Sequence, residues 1–395
     1  MAKDIVIRSD YLEKLSRYKD QVDLVKIITG MRRCGKSTLM RQYRDLLVKN
    51  GVSKESIHNI DLNSKTNEHL LDADTLYEHL MSKVSVERSY FLLDEIQNVT
   101  GWERVIDSLL VDTDADIYLT GSNARLLSVE LATHLTGRSV SINMLPLSFK
   151  EFKELNALKD DESAFNDYLS IGSMPIIRKS MSGEDAFDIL GAIRSDIMVN
   201  DISVRKKMTD VSTLRRVIDY LFSEIGNPIS GNSISKQLRI DNKTAESYLE
   251  AICEALMFYQ AKRYDMRGKM ILTTPSKYYC TDMGMRNASI GEYSRDIGRS
   301  IENLVFLELL RRGYNVQVGK LGDAEIDFVA DKGGQREYYQ VSMTVLDENI
   351  EKRETRPLAG MNDGNARVIL TMDRVGLGTY NGIQRVNIID WLLSK

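Results

Sequence analysis

The sequence predicts an α/β fold headed by a parallel sheet with helices on both faces, and three observations carry that expectation. Apolar runs at 25–29, 90–93 and 116–120 have the length and composition of buried strands. Helical stretches separate them, giving the βαβ alternation of a parallel sheet. The first run leads straight into Gly30-Met31-Arg32-Arg33-Cys34-Gly35-Lys36-Ser37, which matches the pattern G-x-x-x-x-G-K-S/T and opens a helix over 37–47.

The loop after the first strand has a direct chemical reading. Gly30 and Gly35 permit a turn in which backbone N–H groups and the positive end of the following helix converge on one point, a geometry that suits a polyphosphate. Gly30, Arg33, Cys34, Gly35, Lys36, Ser37 and Thr38 are the expected ATP contacts, with Lys36 reaching the β- and γ-phosphates and Ser37 holding Mg²⁺. Cys34 reads as a small spacer, with an oxidation-sensitive thiol as the alternative.

The second strand ends in Asp94-Glu95, at the carboxyl edge where open α/β sheets place their ligands. Asp94 is the expected Mg²⁺ partner and Glu95 the group that polarises the attacking water; the alternative is that the two acids cap the next helix. The third strand ends in Gly121-Ser122-Asn123, so Ser122 or Asn123 can orient the water or sense the γ-phosphate, or simply form a turn. Leu135-Thr136-Gly137-Arg138 precedes a further β-like run at 139–144. Arg138 can act as an arginine finger on a neighbouring subunit or stand as a surface salt bridge.

Composition narrows the class. A chain of 395 residues has room for two to four domains, and no apolar run approaches the length needed to span a bilayer. Met1-Ala2-Lys3-Asp4 lacks the apolar core of a signal peptide, so a cytoplasmic location is expected. Three widely spaced cysteines, Cys34, Cys253 and Cys280, give neither a disulfide framework nor a zinc site.

A net charge of −4 excludes a uniformly basic nucleic-acid binder, yet residues 203–280 hold thirteen Lys/Arg against eight Asp/Glu. In that stretch a helix at 214–225, a short helix from Ser233 to Leu238 and a third helix capped by Asp241 precede two strands, 257–261 and 270–273, around the basic tip 263–269. Helix, short helix, recognition-type helix and wing make a winged helix. For DNA, Asn242, Lys243 and Ser247 would approach the groove while Arg263, Arg267 and Lys269 meet phosphates; alternatively the unit grips a protein or serves as an interdomain spacer, with its charges solvated.

Beyond it, a helix at 301–312 carries Glu302, and strands follow at 314–318, 325–329 and 337–342. A helix Glu, a strand Asp and a strand Glu-x-Lys are the layout of restriction-endonuclease-like cores. Here Glu302, Glu325 and Asp327 are present, but the last element reads Gln340-Val341-Ser342, which lacks both the acid and the ammonium. An inactive, DNA-gripping or purely structural domain is therefore expected, with an active nuclease as the alternative.

Taken together, the loop from Ile28 to Ser37, the segment Leu92-Leu93-Asp94-Glu95-Ile96-Gln97, the stretch from Leu119 to Leu127, and Leu135-Thr136-Gly137-Arg138 followed by Leu145-Pro146-Leu147-Ser148-Phe149-Lys150-Glu151-Phe152 resemble the prokaryotic predicted ATPases of the AAA superfamily that carry a C-terminal domain of unknown function. The resemblance covers essentially the whole chain. It implies a P-loop core (1–146), a helical lid (147–202), a winged helix (203–285) and a degenerate nuclease-like domain (286–395). It also implies ATP hydrolysis by Lys36, Ser37, Asp94, Glu95, Ser122 or Asn123 and Arg138. The resulting expectation is a homo-oligomeric ATPase that couples turnover to DNA, with a regulatory NTPase bound to a protein partner and an ATP-dependent nuclease as the competing classes.

Overall fold

A computed structural model describes residues 5–123, 137–206, 208, 210–291 and 296–394. The family-like positions 124–127 and 135–136 lie outside them. The chain forms two compact units, one of Met1–Met144 with Glu254–Leu256, the other of Leu145–Cys253 with Met257–Lys395.

The first unit is built on five strands, β1 (Val25–Thr29), β2 (Ile57–Asp61), β3 (Tyr90–Asp94), β4 (Asp116–Gly121) and β5 (Ser139–Asn143). They are all parallel, in the order β2-β3-β4-β1-β5. Helices α1 (Ser9–Arg17), α2 (Lys36–Lys49), α3 (Ala73–Met81) and α4 (Trp102–Asp112) accompany them. Because side chains alternate along a strand, β1 sends Val25 and Ile27 into one core with Phe91, Leu93, Ile117 and Leu119, and Ile28 into the other with Leu39, Met40 and Tyr43. The three expected strands are present within a residue of their expected ends. Strand β2 was not expected: Ile57-His58-Asn59-Ile60-Asp61 is an edge strand whose polar positions stay accessible, so it lacks a continuous apolar run.

One buried polar group stands out in this core. Lys26, the second residue of β1, is fully buried and donates to the Asp116 carboxylate and, at 2.6 Å, to the Gln21 carbonyl. Asp116 also accepts from the Tyr118 hydroxyl and the Asp20 N–H, each at 2.9 Å. Burial lowers the pKa of Lys26, and the charge of Asp116 opposes that shift. Asp116→Ala would leave the ammonium buried without its counter-ion, at an expected cost of about 3–5 kcal/mol. The midpoint of chemical denaturation reports this, and a midpoint equal to that of the unaltered chain would show the pair to be dispensable.

The second unit begins with helices α5 (Phe149–Leu155), α6 (Asp161–Ile171) and α7 (Gly183–Asp196), the last running on as a π-helical segment through Ile197–Ser203. Each start is capped: Ser148 and Glu151 form a capping box, and Asp160 and Ser182 accept N–H groups of the first turn. Next come α8 (Val211–Ser223), β6 (Pro228–Ile229), α9 (Gly231–Leu238), α10 (Asn242–Glu254), β7 (Phe258–Ala261), β8 (Arg263–Asp265), β9 (Met270–Ile271) and β10 (Ser276–Cys280). The short helix starts earlier than expected, because Ser230 rather than Ser233 is its cap.

The strand pairing after these helices differs from the expected wing. Strand β7 pairs antiparallel with β10 in a three-stranded sheet, β6-β10-β7. Residues 263–271 form their own hairpin, β8 with β9, and β8 runs parallel to β11 of a different sheet. The fully buried run Ser276-Lys277-Tyr278-Tyr279-Cys280 offers β7 a longer partner than the exposed Met270 and Ile271 can.

After α11 (Met283–Ile290) and α12 (Ile297–Arg311) come β11 (Asn315–Leu321), β12 (Ala324–Lys332), β13 (Gln335–Ser342), α13 (Glu348–Ala359), β14 (Ala366–Thr371), β15 (Gly378–Tyr380), β16 (Ile383–Asn387) and α14 (Ile388–Leu393). These strands with β8 and β9 make one sheet in the order β15-β16-β14-β13-β12-β11-β8-β9. Among the described residues no helix is long and apolar enough to cross a membrane.

Candidate functional site

Strand β1 delivers the phosphate loop to the carboxyl edge of the first sheet. A Cβ at Gly30 would sit 2.3 Å from the Met144 carbonyl oxygen and 2.7 Å from Cys34 Sγ, so only glycine fits there. Gly35 has φ 110° and directly precedes α2, while Arg33, exposed in the loop, has φ 70°. Cys34 is buried, and burial pushes its thiol pKa up, so it behaves as a spacer rather than a nucleophile. Lys36 is buried, with Nζ donating to the Gly30 carbonyl at 2.9 Å and lying 3.7 Å from Glu95 Oε1. Ser37 is exposed at the helix start, and the Thr38 hydroxyl accepts from Arg41 at 3.2 Å.

Strand β3 brings the acids to the same edge. Asp94 is its last residue, buried, and its pKa is raised by burial, while hydrogen bonds from Ser37 and Thr120 pull the other way. Thr120 on β4 bonds the Asp94 carboxylate and accepts the Glu95 N–H at 3.0 Å, fixing both acids to the neighbouring strand. Glu95 sits in the left-handed region, φ 58°, which turns the chain out of the strand and leaves its side chain about one-fifth exposed. Gln97 donates to its other carboxylate oxygen. Lys36, Ser37, Asp94 and Glu95 therefore meet in one place.

Ser122 and Asn123 are both buried and follow β4, whose Gly121 is in register with Thr29, so they stand beside the phosphate loop. Arg138 does not. It precedes β5, whose Ser139 is in register with Val25, so it lies at the opposite end of the sheet from the loop of its own chain. There it is paired with Asp107 of α4 at 2.6 Å. Two contributors escaped the sequence reading. Arg8, buried ahead of α1, donates to the Cys34 carbonyl at 3.3 Å and lies over the Tyr11 ring, and Thr120 clamps the two acids. A lone Arg and a strand Thr carry no motif.

The basic candidates in the second unit divide. Lys243 is exposed on α10, where Asn242 bonds Glu246 at 3.0 Å and Ser247 is also exposed. Arg267 and Lys269 are exposed at the tip of the β8–β9 hairpin. Arg263, expected to face phosphates, is instead turned inward, ion-paired with Glu325 at 2.6 Å. The reason is the pairing of β8 with β11, which brings it to the acidic face of β12.

That face gathers the residues expected of a nuclease-like site. Glu325 and Asp327, two apart on β12, share a side of the sheet with Glu302 of α12 and Gln340 of β13. Asp327 accepts the Val341 N–H at 2.9 Å, and Gln340 donates to Glu354 at 2.9 Å. Burial, followed by the charge of Glu302, raises the pKa of Asp327 well above the carboxylate range. Ser342 turns to the Thr344 carbonyl. An ammonium does reach the cluster, but from elsewhere: Lys277 of β10 lies 3.0 Å from Glu302 and 2.9 Å from Glu325. Among the described residues no group of three or more His, Cys, Asp or Glu side chains is arranged to hold a metal ion.

The first site lies in an AAA-type domain: residues 23–153 match the model of an AAA domain family, and residues 162–296 match that of a domain of unknown function. The chain belongs to the same family as an uncharacterized protein of Haemophilus influenzae, to which it is 38% identical over the full length of both. It is also similar to the uncharacterized protein MJ1544 of Methanocaldococcus jannaschii, 29% identical over 93% of this chain and 85% of that one. Among solved structures, AMPPCP-bound DnaA from Aquifex aeolicus is matched at 16% identity and a TM-score of 0.31, covering 55% of this chain and 70% of that one. C. elegans PCH-2 is matched at 15% identity and a TM-score of 0.29, covering 62% and 67%.

Proposed function

We propose that the protein hydrolyses ATP at the edge of its first sheet and couples that turnover to DNA bound by its second unit. The observation that carries the first half is the convergence of Lys36, Ser37, Asp94 and Glu95 at the ends of β1 and β3. Glycine at positions 30 and 35 lets the backbone N–H groups wrap the phosphates, and Lys36 exchanges its loop carbonyls for β- and γ-phosphate oxygens. The Ser37 hydroxyl and the Asp94 carboxylate, hydrogen-bonded to each other, are a hard-oxygen pair that fits Mg²⁺. When bound there, the ion would offset charge on the phosphates. Glu95 polarises the attacking water, and Ser122 or Asn123 orients it beside the γ-phosphate. Arg138, remote from its own loop, serves the site of a neighbouring copy, which makes the active form a homo-oligomer.

For the second half, the order helix, strand, helix, helix, strand over 211–261, completed by β10 after the intervening β8–β9 hairpin, supports a winged helix, and the eight-stranded sheet supports a nuclease-like domain that does not cut. Lys243, Arg267 and Lys269 are the exposed cations that would meet phosphates. Charge reversal of all three is expected to weaken DNA binding uniformly across sequences. It should also flatten the log–log salt dependence by about one unit for each phosphate that is no longer neutralised. Met270 and Ile271, exposed beside Lys269, favour a protein partner as the second reading. DNA affinity unchanged by the triple reversal would select that reading.

A further inference from the structure

The nuclease-like layout implies a divalent cation between a helix Glu and a strand Asp. The residues present do not fit one. Lys277 Nζ stands 3.0 Å from Glu302 Oε1 and 2.9 Å from Glu325 Oε1, both within charge-assisted hydrogen-bond reach. The Tyr279 hydroxyl, two residues on along the same strand, donates to the same Glu302 oxygen at 2.7 Å. Arg263 takes the other Glu325 oxygen at 2.6 Å, and the Val341 N–H takes an oxygen of Asp327 at 2.9 Å. Each acid expected to bind a metal already has a protein donor. The Lys277 side chain is only 6% exposed, so its ammonium is held there by the carboxylates rather than by solvent.

We infer that Lys277 is the resident cation of this cluster, doing for Glu302 and Glu325 what a divalent ion does in a cutting nuclease, and that the domain is thereby metal-independent. The inference rests on the nuclease-like reading of the sheet and needs neither ATP turnover nor DNA binding. It also changes the meaning of Ser342. The ammonium missing from the end of β13 is replaced by one from β10, where it neutralises the acids instead of activating water beside a metal. Because β10 belongs to the three-stranded sheet while Glu302 and Glu325 belong to α12 and the eight-stranded sheet, the same ion pairs fasten the two sheets together. Removing one partner of such a pair leaves a buried charge uncompensated, so loss of Lys277 alone is expected to destabilise the domain.

Mn²⁺ binding to the nucleotide-free full chain, followed by the electron paramagnetic resonance signal of the free ion, tests this in an Asp94→Asn background that removes the acid proposed to hold Mg²⁺ in the first unit. The background chain is expected to take up no Mn²⁺ at the cluster. Adding Lys277→Met should raise Mn²⁺ affinity by at least ~10-fold, because a like charge a few ångströms from a bound cation opposes it strongly even at an effective dielectric constant of ~20. Asp327→Asn should then abolish the gain. Uptake by the background chain that Asp327→Asn removes would overturn the inference, as would a folded Lys277→Met chain that gains no site. Removing Lys277 can unfold the domain, so a second arm uses the Asp94→Asn chain without further change. Its melting temperature should be the same in EDTA and in Mn²⁺, and a rise in Mn²⁺ that Asp327→Asn eliminates would equally overturn the inference. Neither arm contains nucleotide or DNA, so a failure here is separable from a failure of the ATPase or DNA reading.

Discussion

Glu95→Gln is expected to retain Mg·ATP and to hydrolyse it at least ~10²-fold more slowly, the usual contribution of a positioned general base. The substitution preserves shape and removes only the charge that would polarise water. It leaves Lys36, Ser37 and the Asp94–Thr120 hydrogen bond in place, so the phosphate cradle should survive. The ion pair it breaks is long, with 3.7 Å between Lys36 Nζ and Glu95 Oε1, and Lys36 keeps its hydrogen bond to the Gly30 carbonyl. Nucleotide affinity and turnover measured on the same preparation separate the two effects, and turnover at the unaltered rate would remove Glu95 from the role of base.

Arg138→Ala is expected to lower turnover by about 10³-fold or more while leaving nucleotide affinity nearly intact, since an arginine finger acts on the transition state more than on the ground state. The fold should tolerate the change. The Arg138–Asp107 pair is about one-third and one-half exposed, and such pairs are worth about 0–1 kcal/mol. Position makes the test decisive: an arginine at the amino end of β5 cannot reach the loop at the carboxyl end of β1 in its own chain. Mixing Arg138→Ala with Glu95→Gln should therefore recover activity at hybrid interfaces, where one copy contributes the intact base and the other the intact arginine. Mixtures that stay inactive, or full activity from a monomer at all dilutions, would return Arg138 to a surface salt bridge.

What could be read from the sequence was local. The strand-loop-helix at 25–47 and the Asp94-Glu95 pair after an apolar run are each fixed within a few residues, and Lys36 and Glu95 lie 3.7 Å apart in the structure. Helices in the second unit carried their own caps and periodicity, so their order was legible to within a few residues, apart from the cap of the short one. Pairings between distant segments were not. The strand 276–280 takes the partner that 270–273 was expected to have, and nothing within either run encodes which of them meets β7. Lys277 was invisible for the same reason: its partners, Glu302 and Glu325, are separated from it in sequence and meet it only through the packing of three elements. Strand β2 was missed because an edge strand keeps polar residues on its accessible side.

Phosphate release from Mg·ATP, measured side by side for the unaltered chain, Glu95→Gln and Lys36→Ala, tests most directly whether the phosphate loop and the Asp94–Glu95 pair form a hydrolytic site. Release by the unaltered chain, strongly slowed release with nucleotide still bound in Glu95→Gln, and neither binding nor release in Lys36→Ala is the expected pattern. Lys36→Ala releasing phosphate as fast as the unaltered chain would contradict it.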